Sequence, residues 1–113
     1  MNIGFINEEH RSKYEKLTNS TDETWNELIP LLYIVSGNKS LYKRVGEIYD
    51  FEENKPKPIR GSMWSSSEKA MVKLALQLYN YSNNKQNVID TFSRLDQNNF
   101  QLAVNAIKIR FNM

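Results

Sequence analysis

Only one side chain in the sequence has an ordinary pKa close to neutral pH, the single histidine His10. A Ser-His-Asp triad would need this residue, and the serines Ser65, Ser66 and Ser67 lack the Gly-x-Ser-x-Gly turn that exposes a nucleophile. The chain has no cysteine, which excludes thiolate nucleophiles and thiolate metal ligands. We therefore interpret His10 as a structural residue that donates a hydrogen bond to a buried acceptor, and we predict no catalytic residue.

Acidic and amide residues at alternate positions could indicate a calcium-binding loop. Asp50, Glu52 and Asn54 have the spacing that begins an EF-hand loop. The sixth position, which needs glycine, is Lys55, and the twelfth, which needs a bidentate glutamate, is Gly61. The four glycines are scattered, so they form no phosphate-binding loop. We expect neither a metal site nor a cofactor.

Basic and aromatic residues alternate between positions 39 and 64. Such a set can bind phosphates and stack on nucleic-acid bases. Tyrosine, tryptophan and arginine also contribute most of the binding energy at protein interfaces. Glu47, Asp50 and Glu52 interrupt the positive charge, so a solvated helix face with a charged loop is the simpler interpretation. The set contains Lys39 and the candidate partner-binding residues Tyr42, Lys43, Arg44, Lys55, Lys57, Arg60 and Trp64.

The elements that must position these residues have helical periodicity, with apolar residues three or four positions apart. Ser65 and Glu68 form a capping box that opens the strongest predicted helix, near residues 66–81. Apolar residues, Leu78 among them, cover most of its circumference, which predicts a central helix with a water-facing stripe of Lys69, Lys73, Gln77 and Asn80.

Five further segments have helical signals, and residues 50–60, with two prolines, are predicted to be an irregular loop. The first is Glu8 to Leu17 with Asn7 as N-cap, and the second is opened by Ser20 and Glu23 and stopped by Gly37, with a kink or a late start at Pro30. A short third helix passes through Leu41, Val45 and Ile48, and another lies around Val88, Phe92 and Leu95. The last helix is capped by Asn98 and has Phe100, Val104, Ile107 and Phe111 on its apolar face. We predict an all-α single domain over residues 1–113, with five to six helices in irregular orthogonal packing.

Composition restricts the class of protein and its compartment. A chain of 113 residues can bury one core, and no apolar run approaches the roughly 18 residues that span a bilayer. The N-terminus lacks the pattern of a signal peptide, so we expect a cytoplasmic protein without membrane contact. The sequence pI of 8.8 is below the value of about 9 typical of dedicated nucleic-acid-binding domains.

Several short stretches are distinctive, namely Phe5 with His10, Tyr49-Asp50-Phe51, Gly61 to Ser67, Leu74 to Asn80, and Ala106 to Phe111. Together they resemble a family of small uncharacterised helical proteins from Gram-positive bacteria and from their phages and other mobile elements. The chain departs from the family's usual Gly-Trp-Gln-Thr type of segment, because it has Met63-Trp64-Ser65-Ser66 here. The resemblance brings no known activity.

The resemblance also favours an ion pair between Asp50 and Arg110, because it extends to both positions and a half-buried arginine requires a carboxylate partner. We interpret this pair as structural. Trp25 is predicted to be a core anchor, and the same interpretation competes with partner binding for Trp64.

We predict a non-enzymatic protein of a phage or mobile element that binds and modulates a host protein or complex, for example as a counter-defence inhibitor such as an anti-CRISPR. The alternative is a nucleic-acid-binding accessory protein that uses the basic segment 39–60. The third hypothesis is a small enzyme or ligand-binding domain in which His10 or Asp50 acts.

Overall fold

Helices make up most of the structure. It is a computed structural model, and it describes residues 4–21, 26–57, 64–79 and 87–112. The predicted all-α fold is confirmed, with a short hairpin added. The radius of gyration, 12.7 Å, is close to the value of about 13 Å expected for one compact chain of this length. The elements are α1 (Glu8–Thr18), α2 (Leu28–Ser36), α3 (Lys39–Lys43), a 3-10 turn (Val45–Glu47), β1 (Tyr49–Asp50), β2 (Lys55–Pro56), α4 (Ser66–Leu78), α5 (Val88–Phe92) and α6 (Gln97–Arg110).

Side-chain caps begin several of these helices. The Asn7 side chain accepts a hydrogen bond from the backbone N–H of His10 at 2.9 Å, which confirms the predicted start of α1. The capping box of α4 is also confirmed, because Ser65 Oγ accepts from the Glu68 N–H and Glu68 Oε1 accepts from the Ser65 N–H. The predicted cap of α6 was wrong: Asp96, two residues before Asn98, caps this helix.

Helix α2 starts later than the predicted capping box. It begins at Leu28, which puts Pro30 at its third residue, where the missing N–H would have no partner within the helix. Ser20 does not cap α2, since its hydroxyl donates to the Lys16 carbonyl at the end of α1. None of the described helices combines the length and apolar character needed to cross a bilayer.

The core is centred on α2 and α4. Every residue of α2 from Pro30 to Ser36 is buried, and this helix packs against α1, α3, α4 and α6. The predicted helix near 66–81 forms as α4, which packs against α2, α3, α5 and α6; residues 80 and 81 lie outside the described ranges. Leu32 of α2 has no exposed surface and Leu78 of α4 is 8% exposed, so α2 is the more enclosed helix.

Helix α6 buries a different face from the predicted one. Its buried residues are Asn99, Leu102, Ala103 and Ala106. The predicted face of Phe100, Val104, Ile107 and Phe111 was wrong, because Phe100 and Phe111 are exposed and the other two are only partly buried.

A glycine at the end of α2 allows α6 to approach α2 closely. At the end of α2, Gly37 lies so close to Leu102 that a Cβ atom on this glycine would overlap the Leu102 Cδ2 atom. The same Cβ would lie 3.1 Å from His10 Nε2. Helices α1, α2 and α6 therefore meet at a position that has room only for a hydrogen atom.

A two-stranded antiparallel hairpin occupies part of the predicted loop, with Tyr49 opposite Pro56 and Asp50 opposite Lys55. Asn54 in its turn has a positive φ of 54°, a conformation that asparagine tolerates better than most residues. The prediction of an irregular segment was therefore wrong for this part, because the backbone pairs locally around a tight turn.

Candidate functional site

His10 is enclosed between α1 and α2. Its Nδ1 atom accepts the Ile6 N–H at 3.1 Å, so Nε2 carries the proton and donates to the Tyr33 carbonyl at 2.9 Å. Burial lowers the pKa of His10 below its ordinary value of 6.5, although the hydrogen bond to Tyr33 opposes this shift. Both ring nitrogens are thus used within the fold.

The predicted ion pair between Asp50 and Arg110 was wrong. Asp50 Oδ1 accepts the backbone N–H groups of Glu52 and Glu53, which fixes the turn of the hairpin; these bonds, led by that from Glu53, lower the pKa of Asp50. Arg110 instead donates from Nε to the Leu78 carbonyl at 2.8 Å. The two residues satisfy local backbone groups at the ends of different elements, so neither needs the other.

The Arg110 guanidinium closes the end of α4. Its Nη2 atom also lies 3.9 Å from a carboxylate oxygen of Glu27, just before α2. Leu78, which supplies the accepting carbonyl, is buried as part of the core. Trp25 and Arg60, the remaining predicted residues, lie outside the described residues.

The basic and aromatic set between residues 39 and 64 is only partly brought together. The Arg44 guanidinium lies 3.8 Å from the centre of the Trp64 ring and forms hydrogen bonds with both carboxylate oxygens of Glu47. Trp64 is only 8% exposed, so its ring is a core group covered by Arg44. Tyr42, also partly buried, has Lys13 Nζ 5.1 Å from its ring centre.

Acidic neighbours compensate much of the charge of this segment. Arg44 and Lys57 both lower the pKa of Glu47, Arg44 more strongly through its hydrogen bonds. Lys55 and Lys57 also lie near Asp50. Lys43, Lys55 and Lys57 are exposed, but the surface around them has mixed charge.

A more uniformly positive surface lies between α4 and α5. A groove with a volume of about 350 Å³ is lined by Trp64, Ser66, Lys69, Ala70, Lys73, Asp90 and Arg94. Lys69, Lys73 and Arg94 form no ion pair with any described carboxylate. Among the described residues of this lining, Asp90 is the only acidic one. The groove thus combines three cations with one anion.

Large apolar side chains are exposed on α5 and α6. Val88 and Ile89 of α5 are 71% and 77% exposed, and Phe100 of α6 is 49% exposed. Phe100 contacts Phe92 of α5 with ring centres 5.5 Å apart, which connects the two helices. We call Val88, Ile89, Phe92 and Phe100 the α5 apolar patch.

Sequence reasoning missed both features. Lys69 and Lys73 are four residues apart, which already puts both on one face of a helix. The sequence gives no indication that Arg94, which follows α5, lines the same groove. Val88 and Ile89 are adjacent, so a helix directs them about 100° apart, and a short helix that packs on one side only leaves at least one of them exposed. That adjacency was a usable signal for an exposed apolar residue.

A second cavity, of about 280 Å³, lies where α1, α3 and the start of α6 meet. Its charged lining residues are Glu9, Lys13, Lys39 and Asp96, so positive and negative charges balance. The Lys13 ammonium is held by Glu9 at 2.8 Å, and this bond lowers the pKa of Glu9. In the described part of the chain, no group of three histidine or acidic residues is placed to hold a metal ion.

Comparison with known proteins identifies a family without an assigned activity. The family of unknown function DUF6075 matches residues 1–113, the entire sequence. No curated protein and no solved structure matches the chain. The chain belongs to the family of unknown function DUF6075.

Proposed function

We propose that the protein is a non-enzymatic interaction protein of a phage or other mobile element, which binds a host protein or complex and changes its activity. Inhibition of a host defence system, such as a CRISPR nuclease, is one concrete form. The single observation that carries protein binding is the α5 apolar patch, in which Val88 and Ile89 are more than two-thirds exposed.

An exposed apolar patch favours a protein partner for an energetic reason. Each square ångström of apolar surface removed from water contributes about 25 cal/mol, so adjacent exposed aliphatic side chains gain free energy when a partner covers them. Larger exposed apolar patches often mark interaction sites. Phe100 adds an aromatic side chain of the kind enriched at interfaces.

Site-specific cross-linking tests the proposal. The chain would carry a photo-cross-linking amino acid at Val88 and be exposed to an extract of the native host, with a cross-linker at Glu15, exposed on α1, as the control position. We expect a discrete host protein to be captured from Val88 and not from Glu15. The captured protein is then purified, and its activity is measured with and without the chain.

A competition experiment compares the wild-type chain with two variants. Unlabelled wild-type chain should suppress the cross-link, whereas Ile89→Ser should need about tenfold more protein because it removes an apolar contact. Lys16→Ser, an exposed change on α1, should compete as well as wild type. Capture that is equally strong from Glu15, or a partner whose activity does not change, would contradict the proposal.

Nucleic-acid binding by the segment 39–60 is the second candidate function. The exposed lysines Lys43, Lys55 and Lys57 favour it. Binding of this kind must weaken by orders of magnitude between about 50 and 200 mM salt, because each neutralised phosphate releases condensed counterions. Submicromolar, strongly salt-dependent binding of DNA or RNA would support this candidate over the first.

A further inference from the structure

We infer that the groove between α4 and α5 binds an acidic segment of the partner protein, while the α5 apolar patch contacts apolar side chains of the same segment. This inference rests on the proposed function. It adds the chemistry of the partner, a stretch in which carboxylates and apolar residues lie close together.

The first step concerns charge. Lys69, Lys73 and Arg94 line the groove without ion-pair partners among the described residues. In contrast, Arg44 has a bidentate partner in Glu47, and Lys13 has a partner in Glu9. Cations that converge on one concave surface without internal partners attract anionic groups and increase the rate of encounter.

The second step distinguishes carboxylates from nucleic-acid phosphates. A single-stranded nucleic acid would need an aromatic ring on which its bases could stack. The aromatic residue in the groove wall, Trp64, is 8% exposed, and Arg44 covers its ring at 3.8 Å. Val88 and Ile89, the most exposed residues of the patch, are aliphatic, and its exposed aromatic ring, Phe100, packs edge-on against Phe92 and does not line the groove. The combination of cations with exposed aliphatic side chains therefore fits an acidic protein segment better.

The third step concerns size. A specific protein interface usually buries about 800 Å² on each partner, whereas α5 has five residues and is only about 7.5 Å long. A stable contact must therefore extend beyond the apolar patch. The groove shares α5 with the patch, because Asp90 at its edge belongs to this helix and Arg94 follows it directly.

Defined peptides test the inference directly. The probe is a peptide of about 12 residues, about 18 Å as a helix, that combines glutamate and leucine on adjacent faces. The controls are the same peptide with glutamine for every glutamate, and an oligothymidylate. Titration of the ¹⁵N-labelled chain should shift the amide signals of Lys69, Lys73, Arg94 and Ile89 with the glutamate peptide, and the glutamine peptide should bind about tenfold more weakly.

A matched pair of charge variants completes the test. The groove variant, Lys69→Gln/Lys73→Gln/Arg94→Gln, should bind the glutamate peptide about tenfold more weakly than wild type. The control variant, Lys43→Gln/Lys55→Gln/Lys57→Gln, removes the same charge elsewhere, and its affinity for this peptide should differ from that of wild type by less than about twofold. Circular dichroism checks that both variants fold.

Several outcomes would overturn the inference: equal binding of the two peptides, equal effects of the two triple variants, tighter binding of oligothymidylate, or no peptide binding. None of them affects the cross-linking result at Val88. Conversely, failure of that cross-link would contradict the proposed function whatever the peptides do.

Discussion

His10 is a neutral hydrogen-bonding residue that connects three parts of the chain. Its Nδ1 accepts from Ile6, its Nε2 donates to Tyr33, and its ring packs edge-on against Phe5 with centres 5.0 Å apart. Protonation would put an N–H at Nδ1 against the N–H of Ile6. The folded protein therefore favours the neutral imidazole, in agreement with the lowered pKa.

This preference predicts how stability depends on pH. Because the folded pKa of His10 is lowered below 6.5, the unfolded chain binds a proton first as the pH falls, and the free energy of unfolding decreases from about pH 6.5 downward. Above that value the contribution of His10 is constant. Thermal unfolding at pH 7.5, 6.5 and 5.5 should give a falling melting temperature.

His10→Gln provides the control for the pH prediction. The variant should lose about 1 to 3 kcal/mol at pH 7.5, because a buried hydrogen-bond partner is lost, and it should have a flatter dependence between pH 7.5 and 5.5. The carboxylates of Glu9, Glu47, Asp50 and Glu68 have lowered pKa values and lose their stabilising effect only at lower pH. Equal slopes for variant and wild type would contradict the assignment to His10.

The separation of Asp50 from Arg110 gives a second prediction at the residue scale. Asp50→Ala and Arg110→Ala should each lower the melting temperature, since each removes hydrogen bonds to backbone groups. Their effects should add in the double variant, because the side chains share no partner. A double-mutant cycle by thermal unfolding measures this, and a clear non-additive term would restore the ion pair that the sequence suggested.

At the scale of elements, the caps predicted at Asn7 and Ser65 are confirmed, whereas the cap predicted at Asn98 was wrong. A cap needs only a side chain and a backbone N–H three residues away, but the sequence offers several candidates and the packing of the helix selects among them. The buried face of α6 depends on what packs against it. Large apolar residues suggested one face, but Leu102, Ala103 and Ala106 face the core.

The relative burial of α2 and α4 can be tested by truncating one leucine in each. Leu32→Ala should cost about 3 to 5 kcal/mol of unfolding free energy, because this fully enclosed side chain leaves a cavity that cannot collapse. Leu78→Ala should cost about 2 to 3 kcal/mol, because this side chain is partly exposed at the end of α4. Urea denaturation measures both values, and the reverse order would identify α4 as the more enclosed helix.

At the scale of the whole molecule, the excess of positive charge lies in the second half of the chain. Residues 61–113 contain six basic and three acidic side chains, and the groove between α4 and α5 lies in this half. In the segment 39–64, cations and aromatic residues are interleaved, but Glu47 and Asp50 lie among the cations. The packing of helices that are distant in sequence decides which cations lack ion-pair partners. The sequence gives no direct signal of this packing.

The contact between Gly37 and Leu102 links substitutions across the molecule. Gly37→Ala should cost about 1 to 3 kcal/mol by crowding Leu102, and Leu102→Ala about 2 to 5 kcal/mol by leaving a cavity. The double variant should cost less than the sum, because the new methyl group enters the vacated space. Urea denaturation of the three variants checks this, and strict additivity would contradict the contact.

The same contact has a consequence for the history of the family. A lineage that acquires a side chain at the position of Gly37 gains room only if the residue opposite, in α6, becomes smaller. The two positions, 65 residues apart in sequence, should therefore covary among members of DUF6075. An aligned set of family sequences would record this compensation as paired changes, with glycine facing a large residue or alanine facing a small one.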